Sequence, residues 1–262
     1  MEPRTIQVNG VRVNALAGVG SRLLCSAYAH FDRMREQRSD GMQLEVEGWK
    51  LSPSIWRNVQ LLSGTSEDGA LAGVFIPGTN ELADWTAGNL NCIPTRLAGC
   101  PGLWRRGFVI PGDLAAIRLL ALASAHPAAA LMIAGHSYGG AAATVAAACV
   151  ARSGLADRLI AVLDFAGPRA CSGSGSDYLT ELLGEHVGQR FSFGLDVVPW
   201  SVAPGLWKTA LENIFVASDG RVRKRMGFWR ELTSSLRRQG LNPIGDHSIS
   251  RYAEWATSIQ DG

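Results

Sequence analysis

Short apolar runs alternate with amphipathic stretches along this chain, and Gly-, Pro- and Asp-rich breaks separate them. Residues 5–14 alternate about Asn9-Gly10, which predicts a β-hairpin. Residues 18–37 carry Leu23, Leu24, Tyr28, Phe31 and Met34 at helical spacing and finish in charge, so they predict a helix. Strand-like runs at 42–50 and 57–63 lead to a turn at Ser66-Glu67-Asp68-Gly69. Leu71 to Ile76 is a nearly continuous apolar strand that stops at Pro77-Gly78. Residues 86–106 read as a long irregular loop. A helix is expected from Asp113 to His126, capped by Asp113 and stopped before Pro127.

The second half repeats the rhythm. Leu131 to His136 is an apolar strand, followed after Ser137 by a small-residue helix rich in alanine. Leu159 to Phe165 is another buried strand, residues 171–176 are Ser/Gly-rich and loop-like, and 177–186 look helical. Gln189 to Leu195 is a strand ending at Asp196, and Ile214 to Arg223 reads as a hairpin turning at Asp219-Gly220. A basic helix is expected at 227–239, and Asp246-His247 falls in a closing loop. Apolar strands interleaved with helices predict an α/β fold: a mostly parallel twisted sheet flanked by helices on both faces. No linker or repeat divides the chain. One domain is expected over residues 1–262, with residues 1–56 packing on it as hairpin and helix.

Composition narrows the classes of function. An apolar share of 47% with 18% charged residues is that of a folded globular protein. A net charge of +2 gives no footing for nucleic-acid binding. No secretory signal or membrane span is visible, so a cytoplasmic location is expected, with signal-independent export as the alternative. The five cysteines, Cys25, Cys92, Cys100, Cys149 and Cys171, read as free thiols. Cys92 and Cys100 could pair in an oxidising compartment, but their spacing is not a zinc pattern. Neither metal nor organic cofactor is expected.

The chemistry sits in Gly135-His136-Ser137-Tyr138-Gly139, between an apolar strand and a compact helix. Glycines two residues to either side of a serine permit a strained turn and close helix–strand approach, leaving its oxygen free at the sheet edge. The helix that follows aims its N-terminal N–H groups at any negative charge forming there. A serine nucleophile needs a base, an acid to orient that base, and oxyanion donors. After Ser137 the histidines are His186, placed inside an expected helix, and His247, in a late loop; His247 is the better base. Among the acids, Asp246 adjoins His247 too closely in sequence, Asp219 belongs to a turn, and Asp177 starts a helix. Asp196, where a strand meets a loop, is preferred, with Asp164 as the alternate. The N–H of Tyr138 is one expected oxyanion donor, and Thr79, after the strand ending at Ile76, is the other. His136 reads as structural, packing beside the turn.

These residues carry a family resemblance. Phe75-Ile76-Pro77-Gly78-Thr79, Asp84-Trp85, Arg106-Gly107-Phe108, the serine motif, Phe165-Ala166-Gly167-Pro168-Arg169, Asp196-Val197-Val198-Pro199 and His247 occur in unbroken order over roughly 57–255. Together they resemble the class 3 (fungal-type) lipases of the α/β-hydrolase fold. The resemblance implies Ser137, Asp196 and His247 as a catalytic triad, Thr79 and Tyr138 as oxyanion donors, and 86–106 as a lid region. Tyr138 stands where the family commonly has leucine and Pro77 where it commonly has arginine, and Ala166-Gly167-Pro168 replaces Gly-Ala-Pro. The implied activity is hydrolysis of a lipid carboxylic ester, a glycerolipid above all, through an acyl-serine. A phospholipase A or an acyltransferase would use the same triad, and a catalytically silent lipid-binding or interaction module is the reading from another class. The implied partners are a lipid or small ester and a transient lipid surface. The basic residues Arg221, Arg223, Lys224, Arg225, Arg230, Arg237 and Arg238 read first as a solvated face and second as a docking surface for anionic headgroups.

Overall fold

The computed structural model describes residues 4–37, 43–56, 59–78, 92–184, 186–194, 196, 198–200, 205–217, 220–224 and 243–260. Strands β1 (Thr5–Val8) and β2 (Val11–Asn14) pair as the expected hairpin, and helix α1 (Ala17–Gln37) follows. Next come β3 (Leu44–Val46), β4 (Trp49–Trp56), β5 (Val59–Ser66) and β6 (Leu71–Ile76). Two short strands, β7 (Pro94–Thr95) and β8 (Trp104–Arg105), precede helix α2 (Arg106–Ala125). Strand β9 (Ala130–His136) leads into helix α3 (Tyr138–Val150), and β10 (Leu159–Phe165) follows. The remainder comprises β11 (Cys171–Ser172), α4 (Gly173–Leu183), β12 (Gly188–Phe193), β13 (Trp207–Lys208), β14 (Glu212–Val216), β15 (Val222–Lys224), α5 (Pro243–Asp246) and α6 (Ile249–Ser258).

Nine strands form one sheet in the order β15-β14-β12-β10-β9-β6-β5-β4-β3. The central β14, β12, β10, β9 and β6 are mutually parallel, and antiparallel strands extend both edges. Helices cover both faces, which is why the central strands read as continuous apolar runs and not as alternation. In β9, Leu131 and Ile133 join one core layer with Leu119 of α2 and Ala142 and Ala146 of α3. Met132 and Ala134 join the other, with Leu24 and Phe31 of α1 and Trp255 of α6. The sheet with its two helical layers is the α/β-hydrolase architecture expected above. All five parallel strands point their C-terminal ends the same way, and ligand chemistry in open α/β sheets collects at that edge.

Helices α2 and α3 lie unusually close. A Cβ at Gly112 would strike Val145, and α3 is buried at every residue after Tyr138. By length and composition α2 and the run from Tyr138 to Arg158 could cross a bilayer; here both pack into the domain.

Several expected boundaries are corrected. Helix α2 starts at Arg106, not Asp113, and carries Pro111 inside it; the Asp113 carboxylate meets the Cys149 thiol instead of capping a terminus. Residues 44–56 belong to the main sheet and do not merely pack on it. The Ser/Gly-rich stretch opens α4, because Gly175 is needed for close approach to Cys171 and Trp104. His186 lies in a turn after that helix has ended at Leu183. In the loop-like 86–106, residues 86–91 lie outside the described residues. Part of the rest is strand: β7 and β8 pair with each other and through β11 with β13, and Trp104 and Arg105 are buried. Thr79, Asp84-Trp85, Asp219 and the basic helix at 227–239 also lie outside the described residues. Cys92 and Cys100 are both free thiols.

Candidate active site

Ser137 occupies the turn between β9 and α3 at φ 56° and ψ −124°, a conformation L-residues avoid. Its neighbours impose it. A Cβ on Gly135 would collide with the Gly139 carbonyl, and one on Gly139 with the Ile76 carbonyl. The Ser137 N–H bonds the Phe165 carbonyl at 2.8 Å, pinning the turn to the adjacent strand end. The side chain is thereby aimed out of the sheet edge.

Three side chains distant in sequence meet there. The Ser137 hydroxyl donates to His247 Nε2 at 2.9 Å, and His247 Nδ1–H donates to the Asp196 carboxylate at 2.9 Å and 3.0 Å. Asp196 follows β12, and His247 joins α5 to α6. The Asp196 carboxylate is buried and accepts further bonds from the Val198 N–H at 2.9 Å and the Tyr252 hydroxyl at 3.0 Å. Burial pushes its pKa up, and the His247, Val198 and Tyr252 donors pull against that rise. Tyr252 is itself held by the Phe193 N–H at 2.9 Å, so the acid is oriented from helix and strand together.

A second chain of hydrogen bonds runs behind the first. The Gly78 N–H donates to the Tyr28 hydroxyl at 2.5 Å, and that hydroxyl donates to His136 Nδ1 at 2.8 Å. His136 Nε2–H donates to the His247 carbonyl at 2.8 Å, which fixes the tautomer. Burial and the neighbouring His247 hold the His136 pKa well below the usual imidazole value, so the ring is neutral. This chain ties the end of β6 to the backbone of the loop that carries His247.

Asp164, the alternate acid, serves another purpose. It accepts from the Gly167 N–H at 2.7 Å and lies 3.8 Å from Arg190 Nε. Arg190 donates to the Gly167 carbonyl at 2.9 Å and 2.8 Å and to the Pro199 carbonyl at 2.9 Å. The pair braces the loop after β10 against the loop after β12 that carries Asp196. Burial raises the Asp164 carboxyl to about 7, with Arg190 opposing.

Of the expected site residues, Ser137, His247 and Asp196 are brought together and Asp164 is not. Tyr138 adjoins the nucleophile as the first residue of α3, and Thr79 lies outside the described residues. Sequence reading missed Tyr28, Tyr252 and Arg190 as supports, because each bonds to groups outside its own element and resembles ordinary core or strand composition. His136 is more than packing, since both ring nitrogens are engaged. Among the described residues, no group of three or more His, Cys, Asp or Glu is placed to hold a metal ion.

Residues 113–204 match the sequence profile of the family described as Lipase (class 3). No curated protein matches the chain at a significant level. The structure is similar to a triacylglycerol lipase from Penicillium expansum, with a TM-score of 0.65, 18% identity, and 87% of this chain and 90% of that one covered. It is similar to MDLA from Penicillium cyclopium at a TM-score of 0.67 and 17% identity, covering 89% and 95%. The Rhizomucor miehei lipase in its propeptide complex gives 0.62 and 14%, covering 87% and 81%.

Two measurements check these supports. Tyr28→Phe removes the partner of both Gly78 and His136, so it should lower stability by ~1–3 kcal/mol and turnover by about tenfold; equilibrium unfolding and esterase assays read the two effects. Folding raises the Asp164 carboxyl from 3.8 to about 7, so the folded chain keeps a proton that the unfolded chain releases. That contribution is complete below the lower value and is lost as pH climbs toward the higher. Relative to Asp164→Asn, the parent should therefore lose stability from about pH 4 to pH 7 in urea titrations; an offset constant with pH would contradict it.

Proposed function

We propose that this chain, a carboxylic ester hydrolase of the α/β-hydrolase fold that carries the class 3 lipase segment over residues 113–204, cleaves glycerolipid esters through an acyl-serine. The unbroken Ser137–His247–Asp196 hydrogen-bond chain, mounted on a strained turn at the C-terminal edge of a parallel sheet, carries the reading. The solved lipases cover nearly the same span of fold.

The proposed steps follow from the geometry. Ser137 Oγ attacks the acyl carbon while His247 Nε2 takes its proton. Asp196, acceptor-only and buried, keeps Nδ1 protonated and stabilises the imidazolium. The tetrahedral oxyanion is met by the Tyr138 N–H and by Thr79, both assigned from the sequence. The alcohol leaves with the proton from His247, and water activated by the same ring then attacks the acyl-serine and frees the acid. His136, held neutral, adds no positive charge beside the imidazolium that forms.

Lipid is favoured over a small polar ester by exposed apolar side chains on and beside α2, the helix whose first turn contacts Tyr138. Ile93, Ile110 and Ile117 are 55%, 48% and 60% exposed, and Ile93 sits at the start of α2, where its carbonyl accepts the Arg106 N–H. Ile110 and Ile117, two turns apart on α2, with Ile93 beside the start of that helix, suit contact with an acyl chain or lipid surface. The docking of anionic headgroups on basic residues has less support, since Lys224 is paired with Glu212. Five free thiols suit a reducing compartment.

A panel of nitrophenyl esters, triglyceride, monoglyceride and phospholipid, with Ser137→Ala as control, tests the proposal. Turnover should be highest on neutral glycerolipids and fall by several orders of magnitude in the variant, with its fold intact. Phospholipid as preferred substrate, or ester exchange onto added glycerol outpacing hydrolysis, would replace it with the phospholipase or acyltransferase reading. A fully active Ser137→Ala variant would end it.

A further inference from the structure

Pro111 lies inside α2, four residues after Gly107. In an α-helix the carbonyl of residue 107 takes its hydrogen bond from the N–H of residue 111, and proline has none. The Gly107 carbonyl therefore lacks its helical donor. Its bond comes from the other helix: the Tyr138 hydroxyl donates to it at 2.6 Å. The Tyr138 ring is fixed as well, packed edge-on to Phe108 with centroids 5.3 Å apart, and the Arg105 guanidinium lies 4.6 Å from the Phe108 ring centroid. Burial pushes the Tyr138 hydroxyl up to about 12, so it remains a donor at neutral pH. Nearby, Gly112 lets α2 and α3 approach until only a hydrogen fits between Gly112 and Val145.

Tyr138 is also the residue after the nucleophile. As the first residue of α3, its N–H precedes any helical acceptor and is available to an oxyanion. One residue thus offers its backbone to the reaction and its side chain to a neighbouring helix. We infer that the Tyr138 hydroxyl is a positioning group, which uses the carbonyl orphaned by Pro111 as an anchor to hold the Tyr138 amide at the oxyanion site. The inference rests on the acyl-serine reading above. It gives a physical role to Tyr138 where the class 3 lipases commonly carry leucine, a side chain unable to make this bond. The anchor also lies where β8 runs directly into α2, so the amide is registered against the segment entering that helix.

Tyr138→Phe keeps the ring and removes only the hydroxyl. On a soluble short-chain ester, kcat should fall about tenfold, less than the ~10²–10³ seen when an oxyanion donor is lost outright. KM should stay within about twofold, because the oxyanion develops after binding. The acid limb of the pH–rate profile should not move, since His247 and Asp196 are untouched. Pro111→Ala supplies Gly107 with a backbone donor. In that background Tyr138→Phe should cost less in melting temperature than in the parent, while kcat of the double variant stays about tenfold below the parent's. Parental kcat in Tyr138→Phe would overturn the inference. So would recovery of kcat together with melting temperature in the double variant, because the hydroxyl would then merely fill a bond. Either result leaves the parent's own turnover, and its loss in Ser137→Ala, standing as evidence on the acyl-serine reading.

Discussion

The turn at Ser137 is the constraint on which the rest of the structure depends. A residue at φ 56° and ψ −124° stores about 1–3 kcal/mol of strain and persists only where its surroundings leave no alternative. Here the enforcement is packing. Gly135, Gly139 and Gly140 have no room for a Cβ, since the Gly139 carbonyl, the Ile76 carbonyl and the Asp164 carboxylate already occupy those places. Three strand ends, those of β6, β9 and β10, are thereby locked together around one hydroxyl. The fold does not just carry the serine; close backbone contacts at three glycines enforce the turn that presents it.

Around that turn, charge is managed by burial and pairing. Asp196 is taken out of water, which would favour its neutral form, and then given donors from His247, Val198 and Tyr252 that favour the anion. His136 is kept uncharged and used as a strut between the β6 end and the His247 backbone. Arg190 reaches the loops after β10 and β12, with Asp164 beside it. Tyr28, Tyr138 and Tyr252 share one function: each places a hydroxyl where a backbone group or carboxylate near the site needs a partner. Such fixed dipoles need little reorganisation when charge develops, which is where electrostatic catalysis has its advantage.

Much of this was legible in the sequence, for identifiable reasons. The strand before Ser137 and the small-residue helix after it were plain because both are buried on all sides, so composition and position coincide. Asp196 is distinguished from Asp164 in the sequence because it stands where strand meets loop, and the structure places its carboxylate against His247. Helix boundaries were less legible. The helix expected from Asp113 begins at Arg106 and runs through Pro111-Gly112, because tertiary contact between α2 and α3 overrides the poor intrinsic preference there, with Tyr138 filling the hydrogen bond that proline removes. The Ser/Gly stretch at 171–176 reads as loop because intrinsic propensity is poor there, whereas the structure is helical from Gly173 and Gly175 is required by the close approach of Trp104. Tyr28 and Tyr252 gave no local signal at all. Each looks like one more aromatic on an amphipathic helix, and only the chain's closure brings it to His136 or Asp196.

The most direct measurement is the site and rate of covalent labelling by a fluorophosphonate, read by mass spectrometry on the intact chain and its peptides. A polarised serine with a base in hydrogen-bond reach should take one equivalent, on Ser137, at a rate that collapses in a folded His247→Ala variant. An adduct on a different residue, or labelling of Ser137 that continues unchanged without His247, would contradict the account.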